Sequence, residues 1–240
     1  MRHASIFAAA LAAAGLAASA AAATTVQLDF DGQDHGRRNI GWSAAAGWPA
    51  PGESASGGAS AGAFTMSHHG TTDSFVAWCI DLFDYISGGT PPVTNPIDYA
   101  TSPSPIPTAA LARLQSLFDA VYDTAVFETG VNHDASAAFQ AAIWDSVYDT
   151  DGDVTTGSGT DFFKMTSGRA QVSTLANRYL ADAAAYAGPK RFQLTLWNGQ
   201  ANDPDAQDLV SVHAMPVPAG IVLTASAFAL AGWVRRRRAA

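Results

Sequence analysis

The chain has one cysteine, Cys79, in 240 residues, so no disulfide can form within it. Basic residues are scarce: 13 Lys and Arg stand against 21 Asp and Glu. Five of the 13, Arg2 and Arg235 to Arg238, lie at the extreme ends, and every acid lies between them. The middle therefore carries eight basic and 21 acidic residues, a net of −13. Such a surface repels nucleic acid and anionic lipid and favours cations and basic partners. Two catalytic signatures are missing: there is no His-Glu-x-x-His pair and no Gly-rich phosphate loop. Paired acids such as Asp81 and Asp84 suit a glycosidase, but acids are too abundant here for the pairing to be selective. The expectation is a protein that is not an enzyme and uses no cofactor.

The two ends read as addresses. Residues 1–23 begin with Arg2 and His3, continue through an apolar run and finish in Ala21-Ala22-Ala23, the layout of a signal peptide. The other end, residues 214–240, reads Met215-Pro216-Val217-Pro218-Ala219-Gly220, then an uncharged stretch to Val234, then Arg235, Arg236, Arg237 and Arg238. The stretch just reaches across a bilayer core as a transmembrane helix, and the arginines would stay on the cytoplasmic side. Pro216 and Pro218 keep the segment before it extended. A plain membrane anchor is the simpler alternative.

That tail resembles the PEP-CTERM class of sorting signals, in the variant whose motif is Val-Pro-Leu-Pro-Ala. Pro216, Pro218, Ala219 and the four arginines match, while Met215 and Val217 replace Val and Leu. The resemblance implies a Gram-negative source and processing by an exosortase-type protease. It also implies an inner-membrane precursor that is then released to the cell surface or the extracellular matrix.

Between the ends, residues 24–213 read as one α+β domain of mainly antiparallel strands, in a barrel or sheet, with about three helices inserted. Strands are expected at Thr24 to Phe30, Gly62 to Ser67, Ser74 to Leu82, Arg191 to Trp197 and Leu209 to His213, and Ser87 to Pro107 reads as a loop around a short extended piece near Ile97 to Ala100. The Gly, Ser, Ala and Pro content of Asp31 to Gly62 predicts loops and short strands, anchored by Trp42 and Trp48. Helical spacing covers Thr108 to Phe127, Ala135 to Tyr148 and Gly168 to Tyr186, with Asn132 and Asp134 as cap candidates for the second. There is no βαβ rhythm and no internal repeat.

Two residues stand out. Cys79 lies in an apolar strand between Trp78 and Ile80, where a cysteine often serves as a small hydrophobe. Gln140 shares a helical stripe with Ile143, Trp144 and Val147, widened by Phe139. A carboxamide there must find a partner, for which a backbone group would suffice. A cysteine sulfur held against a glutamine carboxamide can instead displace ammonia and form an internal thioester. Trp78, Phe139 and Trp144 would keep water from it.

At these residues the chain resembles the thioester (TQXA) domains of bacterial surface adhesins. Trp78-Cys79-Ile80-Asp81 fits their aromatic-Cys-hydrophobic-acid motif, and Phe139-Gln140-Ala141-Ala142-Ile143-Trp144 fits their hydrophobic-Gln-x-x-hydrophobic-Trp motif. Ala138 departs from the Thr that often precedes that Gln by two. The resemblance implies a Cys79–Gln140 cross-link and covalent attachment to an amine-bearing surface protein or extracellular polysaccharide. A non-reactive structural or binding protein of the polysaccharide matrix is the alternative.

Asp149-Thr150-Asp151-Gly152-Asp153 suggests a calcium loop in Asp149, Asp151 and Asp153, but it fails the EF-hand template at Val154 and Thr160. A plain acidic turn is the competing reading, and no metal is expected.

Overall fold

The computed structural model describes residues 24–46, 53–84, 86, 95–128, 132–157, 162–199 and 206–215. The two terminal addresses, with Pro216, Pro218, Ala219 and Arg235 to Arg238, lie outside these residues, as does Trp48. Among the described residues no helix is long and apolar enough to cross a membrane.

The elements in order are β1 (Thr25–Gly32), β2 (Arg37–Ala46), β3 (Glu53–Gly62), β4 (Phe64–His68), β5 (Ser74–Cys79), β6 (Ile97–Ala100), α1 (Thr108–Val121), α2 (Thr124–Phe127), α3 (His133–Tyr148), β7 (Phe162–Ser167), α4 (Ala170–Ala185), β8 (Phe192–Trp197) and β9 (Leu209–Ala214). The domain is α+β, as the succession of strands, helices and strands predicts.

Six strands form one antiparallel sheet in the order β6-β1-β4-β5-β9-β8. Ala100 and Asn198 then exchange backbone hydrogen bonds of 2.9 and 2.7 Å. That bridge joins the two outer strands and curls the sheet into a ring, which shields edges that would otherwise invite pairing with other chains.

The second sheet, β3-β2-β7, puts two long strands where loops and short strands are expected across residues 31–62. β2 and β3 pair over ten residues each, from Arg37↔Gly62 to Ala46↔Glu53. Their sequences, RRNIGWSAAA and ESASGGASAG, carry too few bulky residues to show alternation. Only Ile40, Trp42 and Ala44 mark the buried face of β2. Gly62 closes the pair at φ +152°, where a Cβ would lie 2.2 Å from the Gly36 carbonyl oxygen. β7, which was not expected at all, completes this sheet by pairing with β2.

Small residues on β3 face an alanine-rich helix. α3 packs against β2, β3 and β7 on one side and α1 and α4 on the other. Every residue from Ala135 to Tyr148 is buried, so the helix is covered all round instead of along the one stripe its spacing suggested. Asn132 caps it by accepting the Ala135 N–H at 3.0 Å, while Asp134 pairs with Arg38 and Arg169.

The helix expected over Thr108 to Phe127 is broken at Tyr122–Asp123. Tyr122 turns to an extended backbone, and its hydroxyl donates to Glu128 Oε1 at 2.7 Å. Arg191 meets the exposed carbonyls of the α1 end, donating to Asp119 O at 2.7 Å and Tyr122 O at 3.5 Å. Asp119 Oδ1 in turn accepts the Arg191 and Phe192 N–H groups, which fixes the start of β8.

Candidate functional site

Cys79 is the last residue of β5, and sheet geometry leaves its backbone with an unmatched edge. β4 pairs with β5 only as far as Phe64↔Ala77. On the opposite edge the Ile80 N–H donates to Asp208 O at 3.0 Å, so the peptide groups of Cys79 face the side where β4 has ended. Gln140, midway along α3, fills that gap. The Cys79 N–H donates to Gln140 Oε1 at 3.1 Å, and Gln140 Nε2 donates to Cys79 O at 2.6 Å. The carboxamide thus takes the place of a strand neighbour. Both residues are 1 % exposed.

The thiol donates to the backbone oxygen of Asp81. Burial pushes the Cys79 thiol well above its ordinary pKa, the Asp81 charge adds to this, and the Trp144 side chain opposes it. The Trp144 indole N–H is buried and makes no hydrogen bond to any described residue. It is a donor near the sulfur with no other acceptor.

Asp81 is buried on an unusual scaffold. Its Oδ1 accepts the Phe83 N–H at 2.8 Å and the Tyr148 hydroxyl at 3.3 Å, and Tyr148 itself accepts the Leu82 N–H. Gln207 Nε2 bridges Asp81 O and Asp84 O at 3.1 and 2.9 Å. Desolvation pushes the Asp81 carboxyl up to about 8, helped by Asp84 and Asp208 and opposed by the Phe83 N–H. Burial therefore favours the protonated form of Asp81, a group that could exchange a proton near neutral pH.

This raised pKa has a consequence for stability. A carboxyl whose folded pKa exceeds its unfolded value keeps its proton after the unfolded chain has lost it. Its contribution is complete below about pH 4 and is lost as the pH rises towards 8. Asp81→Asn is expected to flatten that decline by as much as about 1.4 kcal/mol per pH unit, read from urea midpoints at stepped pH. An unchanged slope would show that Asp81 is ionised in the fold.

A cleft of about 450 Å³ opens over the pair. Cys79, Asp81, Gln140 and Trp144 all line it, and Arg37 and Asp84 add one charge of each sign. Trp78 and Phe139 stand behind the pair in an aromatic cluster, with ring centroids 4.9 Å apart. Ile143 is fully buried. Tyr148, Gln207 and Asp208 belong to the same site but carry no motif. Gln207 is 126 residues from the Asp81 it holds, so only the fold reveals it.

The acidic loop divides. Asp149 and Asp151 cluster with Asp145, which the loop reading did not include. Asp153 turns away: its Oδ1 accepts the Thr155 N–H and hydroxyl and the Asn177 amide.

No protein-family model matches the chain, and no curated protein matches it. Three solved structures are similar to it in outline. The N-terminal domain of the Streptococcus pyogenes pilus tip adhesin Cpa is 14 % identical with a TM-score of 0.40, over 78 % of this chain and 98 % of that one. The N-terminal thioester domain of a Clostridium perfringens surface protein is 15 % identical, also at 0.40, over 74 % and 99 %. A cysteine-to-alanine mutant of a C. perfringens surface-protein thioester domain gives 13 % and 0.40, over 64 % and 89 %. At these values no residue role passes from them to this chain.

Proposed function

We propose that Cys79 and Gln140 condense into an internal thioester, through which an exported protein attaches covalently to an amine-bearing surface protein or extracellular polysaccharide. The observation that carries this reading is the paired hydrogen bonding of the Gln140 carboxamide to the Cys79 backbone. It holds the Gln140 carboxamide against the backbone of the residue that carries the one thiol of the chain. It also aims the Cys79 N–H at Oε1, the atom on which negative charge builds when sulfur attacks.

The chemistry balances without oxidant or cofactor. Cys79 Sγ bonds to Gln140 Cδ, the C–N bond breaks, and ammonia leaves with the thiol proton. An incoming amine then bonds to Cδ, the C–S bond breaks, and the amine proton returns to sulfur. Asp81, with its carboxyl near 8, is the group suited to carry these protons, and the Trp144 N–H is suited to the departing thiolate. The reaction is stoichiometric, which accords with an attachment device and not an enzyme. Delivery rests on the two terminal addresses: export, an exosortase-type cut near Pro216 to Ala219, and display at the surface.

The non-reactive matrix-protein reading draws on one observation. Gln140 and the thiol already have backbone partners, as a structural pair would. The two part on exposure to labelled methylamine. The thioester reading expects one label per chain on Gln140 and the simultaneous appearance of one titratable thiol. A chain that takes up no label and whose thiol titrates only on unfolding would sink it.

A further inference from the structure

The fold brings three carboxylates together at the C-terminal end of α3, away from the cleft. One ligand oxygen from each of Asp145, Asp149 and Asp151 lies within 4.8 Å of the others. Two oxygens bound to one calcium ion at about 2.4 Å can be no farther apart than about 4.8 Å, so the three can share an ion. Asp151 is exposed and gives access from solvent, while Asp149 is buried.

Asp145 supplies an independent sign of a missing ligand. It is 1 % exposed, and its Oδ2 is buried without a hydrogen-bond partner. Such an oxygen is costly to leave bare. Asp145 and Asp149 also line a cavity of about 240 Å³ beside Arg113. Arg113 is the cation nearest to hand, but its Nε is engaged with Ser146 O at 2.9 Å.

We propose that Asp145, Asp149 and Asp151 bind one calcium ion at the end of α3. All three ligands are hard oxygens, with no nitrogen or sulfur to favour zinc or copper. Calcium accepts irregular carboxylate sets completed by water, whereas magnesium demands shorter, near-octahedral contacts. The negative end of the α3 dipole adds to the attraction. Asp149 Oδ2 also accepts the Phe163 N–H of β7 at 3.2 Å, so the ion would tie α3 to the second sheet. Asp153 supports the loop from outside the ligand set through Asn177 of α4. The residues differ from the Asp149, Asp151 and Asp153 of the sequence reading because the helix, not the loop tip, turns a carboxylate into the cluster.

The test is calorimetric titration of the full, chelator-stripped chain with calcium chloride, with thermal melts alongside. Saturable binding of one ion and a melting temperature raised by several degrees in millimolar calcium are expected. Magnesium should bind at least about tenfold more weakly. Asp145→Asn should lower calcium affinity at least about tenfold. Asp151→Asn, at an exposed position that cannot unfold the protein by burial, should do the same. Absence of saturable binding up to about 10 mM, above the range of weak extracellular sites, would overturn the proposal. So would equal binding by Asp151→Asn and the parent, or equal affinity for magnesium.

Discussion

Cys79→Ala is expected to abolish amine uptake at Gln140 completely, with the fold retained. A glutamine amide is a poor acyl donor because ammonia is a poor leaving group, and only the bond to sulfur turns it into a reactive ester. Alanine removes that sulfur and nothing else the site depends on. The backbone hydrogen bonds from Gln140 to residue 79 do not involve the side chain and should persist. The volume lost is one buried sulfur atom, so the stability cost should be about 1 kcal/mol. Labelled methylamine counted per chain, beside a thermal melt, separates the two effects. Full labelling of the variant would mean that Gln140 is modified by some route without sulfur. Gln140→Ala makes a useful contrast: it also ends labelling, but it strands the Cys79 N–H and carbonyl in the core, at about 1–3 kcal/mol for each unpaired group.

Phe139→Ala is expected to cost about 3–5 kcal/mol of stability. The ring of Phe139 is at the centre of the aromatic cluster, with centroids 4.6 Å from Phe127, 4.9 Å from Trp78, 5.1 Å from Phe118 and 5.6 Å from Tyr122. These partners come from α1, α2, β5 and the break after α1, so the neighbours cannot close the cavity by a small shift of one element. The loss also bears on chemistry. Phe139 precedes Gln140 and backs the site against Trp78, next to Cys79. A void there would admit water behind the proposed thioester, and on that proposal the variant should lose the bond to hydrolysis within preparation. Urea unfolding gives the first quantity and methylamine uptake the second. A cost below about 1 kcal/mol would mean that the cluster repacks around the missing ring.

The parts of the fold legible in the sequence are those where bulk alternates with polarity or recurs at helical spacing. β5, β8, α3 and α4 fall within a few residues of their expected bounds for that reason. The β2–β3 pair is illegible because β3 is almost wholly alanine, glycine and serine, and in β2 Ile40 and Trp42 alone add bulk to the buried face, too little to show alternation. β7 was hidden behind a polar loop and exists because β2 offers it an edge. Cys79 and Gln140 stood out as chemical oddities, a lone thiol and a polar group in an apolar stripe. Their mutual contact, however, depends on where β4 ends, which no local pattern encodes. Gln207, Asp208 and Tyr148 reach Asp81 or its neighbours only through tertiary structure. Asp145 carries no signal in the sequence because it lies inside a helix, where an acid ordinarily faces water; here α3 is buried on every side.

The measurement that bears most directly on the Cys79–Gln140 bond is the intact mass of the freshly purified, untreated protein. The thioester account predicts a chain lighter than its own amino-acid sequence by one ammonia, with the deficit confined to a cross-linked pair of peptides containing Cys79 and Gln140. A mass equal to the sequence, with an intact Gln140 amide and one free thiol on unfolding, would contradict it.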